Sequence, residues 1–258
     1  MMIHVVVAFW NAGPYIARCL KSIQAQKDSQ WRCVAYDDFS PDDGYEVGCQ
    51  TVASDSRFEM IRNPRKLWMV GNLWQFRRRS DVADEDIVVQ VDGDDWLPDD
   101  GVLERVRAAY SDGCTWVTYG NYLRVGETTR EIGHCRQVAS ARHIRRLPWT
   151  SSALRTFKVF LLRRIRYADL LWKDNGFIPV AGDLALMFPM IEMAGDKRHK
   201  CLPEINYCYN VVTPFNDFKI HNALQKEIDL HLRRGEPYEE LTSEQDSNSA
   251  TQSPVDLP

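Results

Sequence analysis

Through the first half of this 258-residue chain, short apolar runs alternate with stretches of helical periodicity, and no other sequence feature constrains the fold as much. Ile3 to Phe9 reads as a buried strand. Pro14 to Gln26 places Ile16, Cys19, Leu20 and Ile23 on one helical face, with Pro14 suited to a first turn. Trp31 to Tyr36 and Phe58 to Ile61 read as strands, and Trp68 to Phe76 as a helix. Ile87 to Val91 is a fourth strand, apolar except for Gln90; Leu103 to Tyr110 is helical and Thr115 to Tyr119 a fifth strand. Strands separated by helices predict an α/β fold: a mostly parallel sheet flanked by helices, with right-handed crossovers. Ligands of such sheets bind beyond the carboxyl ends of the strands. The length suits one large domain.

The second half is less regular. A basic helical stretch is expected over Leu154 to Ile165, a helix over Leu184 to Met193, and a last helix over Asn216 to Arg233. From Glu236 onward apolar periodicity is lost and Ser, Glu, Asp, Gln and Pro accumulate, so residues 236–258 read as a disordered tail.

The most informative segment runs from Val88 to Leu97, where Asp92-Gly93-Asp94-Asp95 follows the end of the fourth strand. Adjacent carboxylates repel and raise at least one pKa. A divalent cation relieves that cost. Mg²⁺ and Mn²⁺ prefer oxygen ligands and typically combine one or two carboxylates with water and substrate phosphates. The simpler alternative is a polar turn that caps the next helix. Other uses of such a motif fit less well. In a HAD-type phosphohydrolase, Asp-x-Asp follows the first strand. A dinucleotide-binding fold needs Gly-x-Gly-x-x-Gly after that strand, where this chain has Asn11-Ala12-Gly13-Pro14. A nucleotidyltransferase needs a glycine-rich basic loop there, also missing.

Four segments in order resemble the family 2 glycosyltransferases of the GT-A fold. These are Phe9-Trp10-Asn11 with Tyr15 to Gln26, then Tyr36-Asp37-Asp38-Phe39-Ser40-Pro41-Asp42-Asp43-Gly44, then Arg62-Asn63-Pro64-Arg65-Lys66 leading to Gly71-Asn72, and finally Asp92-Gly93-Asp94-Asp95. The match spans roughly residues 3–120. It implies a Rossmann-like GT-A domain whose residues 1–120 form a donor half and residues 121–235 an acceptor and catalytic half. It implies a nucleotide-sugar donor, a UDP-sugar first, and Mn²⁺ or Mg²⁺ at Asp92 and Asp94. Asp37 is similar to the carboxylate that hydrogen-bonds the base, with Asp38 supporting the loop or touching the ribose. Ala8, Phe9 and Asn11 would border the nucleoside, Arg65 or Lys66 would neutralise the diphosphate, and Asp92 and Gly93 would face the ribose or the metal. Turn and surface roles remain the plain alternatives for Asp37, Arg65 and Lys66.

Val180 to Met187 is similar to the family's Glu-Asp motif, with Gly182 in place of the Glu. The resemblance makes Asp183 the general base of an inverting transfer; a helix N-cap is the structural alternative. His134, His143, His199 and His221 lack ligand spacing, and His4 lies within the first strand.

Residues 136–173 hold ten cations and one acid in a chain of net charge −4. The cluster fits either an anionic acceptor (a glycan, a phosphorylated lipid carrier or nucleic acid) or a surface pairing with acids elsewhere. Trp149 and Trp172 flank it, as platforms for sugar or base or as core. Ser152-Ala153-Leu154-Arg155-Thr156-Phe157-Lys158, and Tyr209-Asn210 with Pro214 and Asn216-Asp217, resemble regions of one subgroup of these enzymes. Seven cysteines without CxxC spacing read as reduced thiols in the cytoplasm. The opening apolar run is short and lacks a basic flank, so it reads as a strand and not a signal peptide, and no run approaches a membrane span. A non-catalytic nucleotide- or sugar-binding module of the same fold is the alternative function.

Overall fold

A computed structural model describes residues 1–173, 176–214 and 220–243. The parallel core consists of β1 (Ile3–Phe9), β2 (Trp31–Asp37), β3 (Phe58–Arg62) and β4 (Ile87–Asp92) in the order β3-β2-β1-β4. Helices α1 (Gly13–Gln24), α2 (Gly44–Val52) and α3 (Trp68–Phe76) connect these strands, and α4 (Val102–Tyr110) follows β4. The expected strands and helices up to Tyr110 lie where the periodicity put them, to within two residues. Helix α2 was not expected. It is only nine residues long and its buried face is mostly glycine, so it carries little apolar pattern.

Side-chain alternation along the strands builds two cores. Val6, Val34, Tyr36 and Val88 pack on one face with α3, while Val5, Val7, Cys33, Ala35, Val89 and Val91 pack on the other with α1. At the carboxyl edge this alternation puts Ala8, Asp38 and Asp92 in phase with the first face and Phe9 and Asp37 with the second.

Beyond β4 the sheet turns mixed. Strand β7 (Arg155–Lys158) pairs antiparallel with both β4 and β5 (Val117–Val125), and β5 pairs antiparallel with β6 (Arg130–Gly133) and parallel with β8 (His199–Asn210). The expected basic helix over Leu154 to Ile165 is therefore a strand followed by the short helix α5 (Val159–Arg164). The slot between β4 and β5 requires backbone partners on both sides, and that need overrides a weak helical pattern. The fifth strand begins at Val117, not Thr115, and runs on to Val125.

Helix α6 (Gly182–Ala194) is buried along almost its whole length and stops at Gly195, whose φ is +64°. Helix α7 (Asn222–Arg234) closes the described fold; the expected start of that helix at Asn216, and the Asn216-Asp217 pair, lie outside the described residues. The expectation of disorder from Glu236 needs correction for its first residues. Tyr238 donates its backbone N–H to Glu192 at 3.0 Å and its hydroxyl to Asp169 at 2.5 Å, and the Leu241 N–H bonds the Met193 carbonyl. One tyrosine and one leucine anchor a segment whose composition is otherwise polar. No helix among the described residues is long and apolar enough to cross a membrane.

Candidate active site

The carboxyl ends of β1, β2 and β4 open into a cleft of about 700 Å³, closed on the far side by β5, β8 and the start of α6. Ala8, Phe9, Asn11, Asp38, Lys66, Asp92, Asp94 and Asp183 all line it. Three expected residues do not. Asp37 is fully enclosed: its Oδ1 accepts the Ser40 N–H at 3.0 Å and its Oδ2 lies 3.1 Å from Arg62. Strand alternation explains this, because Asp37 shares the face of Cys33 and Ala35. Asp37 thus supports the loop and does not line the cleft. Arg65 is exposed and off the cleft, leaving Lys66 as the basic residue of that segment inside it. Gly93 lies behind the cleft, where a Cβ would run into Phe9, so it lets the acidic turn pack against β1.

Asp38 organises the wall of the cleft beside α3. Its Oδ1 accepts the Asn63 side-chain amide at 3.0 Å and the Leu67 N–H at 2.8 Å, and its Oδ2 accepts the Trp68 N–H at 2.7 Å. Those bonds hold Trp68 at φ +62°. Asn11 and Ala181, also cleft residues, have φ of +53° and +55°. Side chains rarely adopt this region, and strained backbone of this kind concentrates at functional sites. The Lys66 ammonium lies 3.6 Å from the Trp10 ring centre and 4.0 Å from that of Trp68.

The acidic turn is held from β8. Asn210 donates its N–H to Asp95 Oδ1 at 2.7 Å and its side-chain amide to the Asp94 carbonyl at 3.1 Å. The Tyr207 hydroxyl accepts the Asp92 N–H at 3.1 Å and donates to Asp92 Oδ2 at 3.3 Å. Asp95 is 1% exposed, and its Oδ2 has no hydrogen-bond partner among the described residues. Burial, then Asp94 and Asp92, push its pKa well up. An orphaned carboxylate oxygen beside two more carboxylates is what a divalent cation would relieve. Among the described residues no three His, Cys, Asp or Glu side chains converge as a metal cage. The acidic turn thus presents oxygen donors of the kind a divalent cation takes, with coordination positions left for water and phosphate.

Asp183 faces this turn from the opposite wall. It is not the N-cap: Ala181 is, and Asp183 is the second residue of α6. Its Oδ2 accepts the Trp149 indole N–H at 3.0 Å, and burial raises its pKa, opposed by nearby Arg155. Arg155 stands between the two walls, 3.4 Å from Asp92 Oδ2 and 3.6 Å from Asp183 Oδ2.

At least four of the ten cations in the basic cluster are engaged in ion pairs within the chain. Arg145 binds Glu192, Arg163 binds Asp84, Arg166 binds Asp169 and Lys173 binds Glu227. Trp172 is core. No histidine lines the cleft; His4 pairs with Asp86 and His199 with Tyr119, both buried.

Sequence reading gave Arg155 a role only within the basic cluster of residues 136–173, as part of a surface for an anionic acceptor, and gave Tyr207 no role. The one local signal was Gln90, a polar residue inside an apolar strand, which pairs in register with Arg155.

Fold and cleft together define a class: an α/β domain of GT-A architecture, with an acidic turn after the fourth strand. The chain belongs to glycosyl transferase family 2, whose model matches residues 4–174. Comparison with curated proteins gave no match. Among solved structures it resembles Staphylococcus aureus TarS 1–349 in complex with UDP-GlcNAc, at 16% identity and TM-score 0.58, covering 83% of this chain and 59% of that one. It also resembles the mannosyltransferase PcManGT from Pyrobaculum calidifontis, in complex with GDP-Man and Mn²⁺, at 17% identity and TM-score 0.60, covering 92% and 65%. A third is GalNAc-T7 with UDP, GalNAc and Mn²⁺, at 14% identity and TM-score 0.58, covering 83% and 44%. At such identities the likeness is one of fold, and the chain spans under two thirds of each of these three proteins.

Proposed function

We propose that this chain moves a sugar from a nucleoside-diphosphate sugar, a UDP-sugar first, to an acceptor hydroxyl with inversion, using Asp183 as general base. The observation that carries the reading is the meeting of the Asp92–Asp95 turn and Asp183 in one cleft, on opposite walls. Asp92 and Asp94 would hold Mn²⁺ or Mg²⁺, which supplies charge stabilisation to a departing diphosphate. Lys66 sits on the same side and can neutralise that group once it leaves the tryptophan rings. In the transfer, the acceptor oxygen forms a bond to the anomeric carbon as the bond to the diphosphate oxygen breaks. Asp183 takes the hydroxyl proton and the nucleoside diphosphate leaves with the bonding pair. The raised pKa of Asp183 makes it a stronger base than an exposed carboxylate, at the cost of activity at low pH.

The far wall favours a carbohydrate acceptor over a polyanion. Trp149, Tyr122 and Tyr209 present part-exposed rings to the cleft, suited to the apolar face of a sugar. The ion pairs of Arg145, Arg163, Arg166 and Lys173 spend cations that a phosphorylated lipid carrier or nucleic acid would need.

Calorimetric titration of UDP and GDP, each with and without Mn²⁺, tests the donor site. Binding of one nucleotide that depends on Mn²⁺, and that weakens roughly tenfold or more in Asp94→Asn, is expected. Equal affinity in wild type and Asp94→Asn would overturn the metal assignment. Binding without turnover of any UDP- or GDP-sugar would mark a non-catalytic module.

A further inference from the structure

We propose that Arg155 is a positioning residue for sugar transfer: its guanidinium spans Asp92 on the metal side and Asp183 on the base side and fixes the distance between them. The inference rests on the functional reading above and extends it to a residue whose type and position carried no such role.

Geometry supports it at three levels. Strand β7 inserts between β4 and β5, and the register sets Arg155 directly opposite Gln90, two residues before Asp92. The side chain therefore emerges at the strand edge where the acidic turn begins. Its Nη2 is 3.4 Å from Asp92 Oδ2 and its Nη1 is 3.6 Å from Asp183 Oδ2, so each arm of the fork addresses one wall. The residue is 8% exposed, and its Nε has no hydrogen-bond partner among the described residues.

These contacts differ from those of a structural lock. Arg145 meets Glu192 at 2.6 and 2.8 Å, with both contacts on one carboxylate. Arg155 spreads over two carboxylates at longer range and keeps a donor unspent, within a cleft that also holds Asp94 and Asp95. Enclosing a cation between two reactive carboxylates has a desolvation cost that a purely structural role would not require at this place. A planar fork can bridge the two groups, whereas an ammonium is a point charge. The two carboxylates belong to elements far apart in sequence, β4 and α6, and no other described side chain bonds to both.

The test compares wild type, Arg155→Met and Arg155→Lys. Three quantities are measured for each: thermal midpoint, affinity for the nucleotide that wild type binds with Mn²⁺, and release of that nucleotide from its sugar donor with water as acceptor. Arg155→Met is expected to keep nucleotide affinity while turnover falls on the order of 100-fold, the scale of a misplaced reacting group. Added guanidinium ion should restore part of that turnover in Arg155→Met and none in wild type, a response that a structural role would not give. Arg155→Lys should remain impaired, and it decides the matter if Arg155→Met does not fold. Wild-type turnover in Arg155→Lys would overturn the proposal, as would a loss confined to nucleotide affinity. Those failures leave the glycosyltransferase reading standing. Wild-type protein that neither binds a nucleotide nor consumes a donor would bring down both.

Discussion

Two buried acids, one in the acidic turn and one near the end of α6, contrast the working part of this molecule with its framework. Asp95 of the acidic turn is 1% exposed, lies beside two more carboxylates and has an oxygen with no hydrogen-bond partner within 3.5 Å among the described residues. Near the end of α6, Glu192 is 2% exposed, and both of its oxygens are bonded, to the two arms of Arg145 and to the Tyr238 N–H. Arg145 in turn donates to the Leu232 carbonyl, and Arg233 to the carbonyls of Arg145 and Leu147, so α6, α7 and the 141–146 turn are tied together. Equal burial thus hides opposite logic. A satisfied network fixes one arrangement of the chain, whereas an unsatisfied acidic group is a conflict that a ligand can resolve.

The largest expected effect separates the two regions by activity. Asp183→Asn should lower sugar transfer by about 10²- to 10⁴-fold, the usual contribution of a general base. Nucleotide affinity and thermal midpoint should stay near wild type. Parallel calorimetry and donor-turnover assays check this, and a variant that transfers sugar at the wild-type rate would remove Asp183 from the mechanism.

Next, the framework side should respond in stability. Arg145→Met leaves Glu192 buried with only the Tyr238 amide for company, and is expected to cost about 3–5 kcal/mol of folding free energy. Urea denaturation measures it. A loss below about 1 kcal/mol, the range of an exposed pair, would mean that the network is not the lock described above.

The smallest effect has the opposite sign. Asp95→Asn keeps an oxygen for the Asn210 N–H and removes one charge from the turn. The folded-state pKa of Asp95 is raised, so wild type loses stability as pH climbs from the unfolded-state value of about 4 through the folded-state one. Without metal, Asp95→Asn should therefore melt a few degrees above wild type at pH 7. The gap should close as pH falls below about 4, where the unfolded-state carboxyl is protonated too. Adding Mn²⁺ should narrow it at pH 7. A wild type more stable than the variant at neutral pH would show that the turn is not under charge strain.

Much of the donor wall was legible in advance. The strand ends, Asp92, Asp94, Lys66 and the first turn of α6 are local events: a short apolar run stops and a polar turn follows, in one stretch of sequence. Face assignment was harder. Asp37 and Asp38 are adjacent and chemically identical, and only the strand phase sends one into the core side and the other to the cleft. Tyr209-Asn210 could be noticed but not interpreted, because the work of Asn210 lies 115 residues away at Asp95.

The sequence by itself determined the alternation of strand and helix, a mostly parallel sheet and an acidic turn at the end of its fourth strand. Periodicity and adjacent charge are short-range properties that any reading of the chain can find. Only the tertiary structure decided that Arg155 belongs to a strand between β4 and β5, that Tyr207 reaches the Asp92 backbone, and that Arg145, Arg163, Arg166 and Lys173 of the basic cluster form internal ion pairs. Those facts depend on which distant segments fill the sheet beside β4. Hydrogen-bond completion and packing across the whole fold settle that choice, and no local window of sequence contains it.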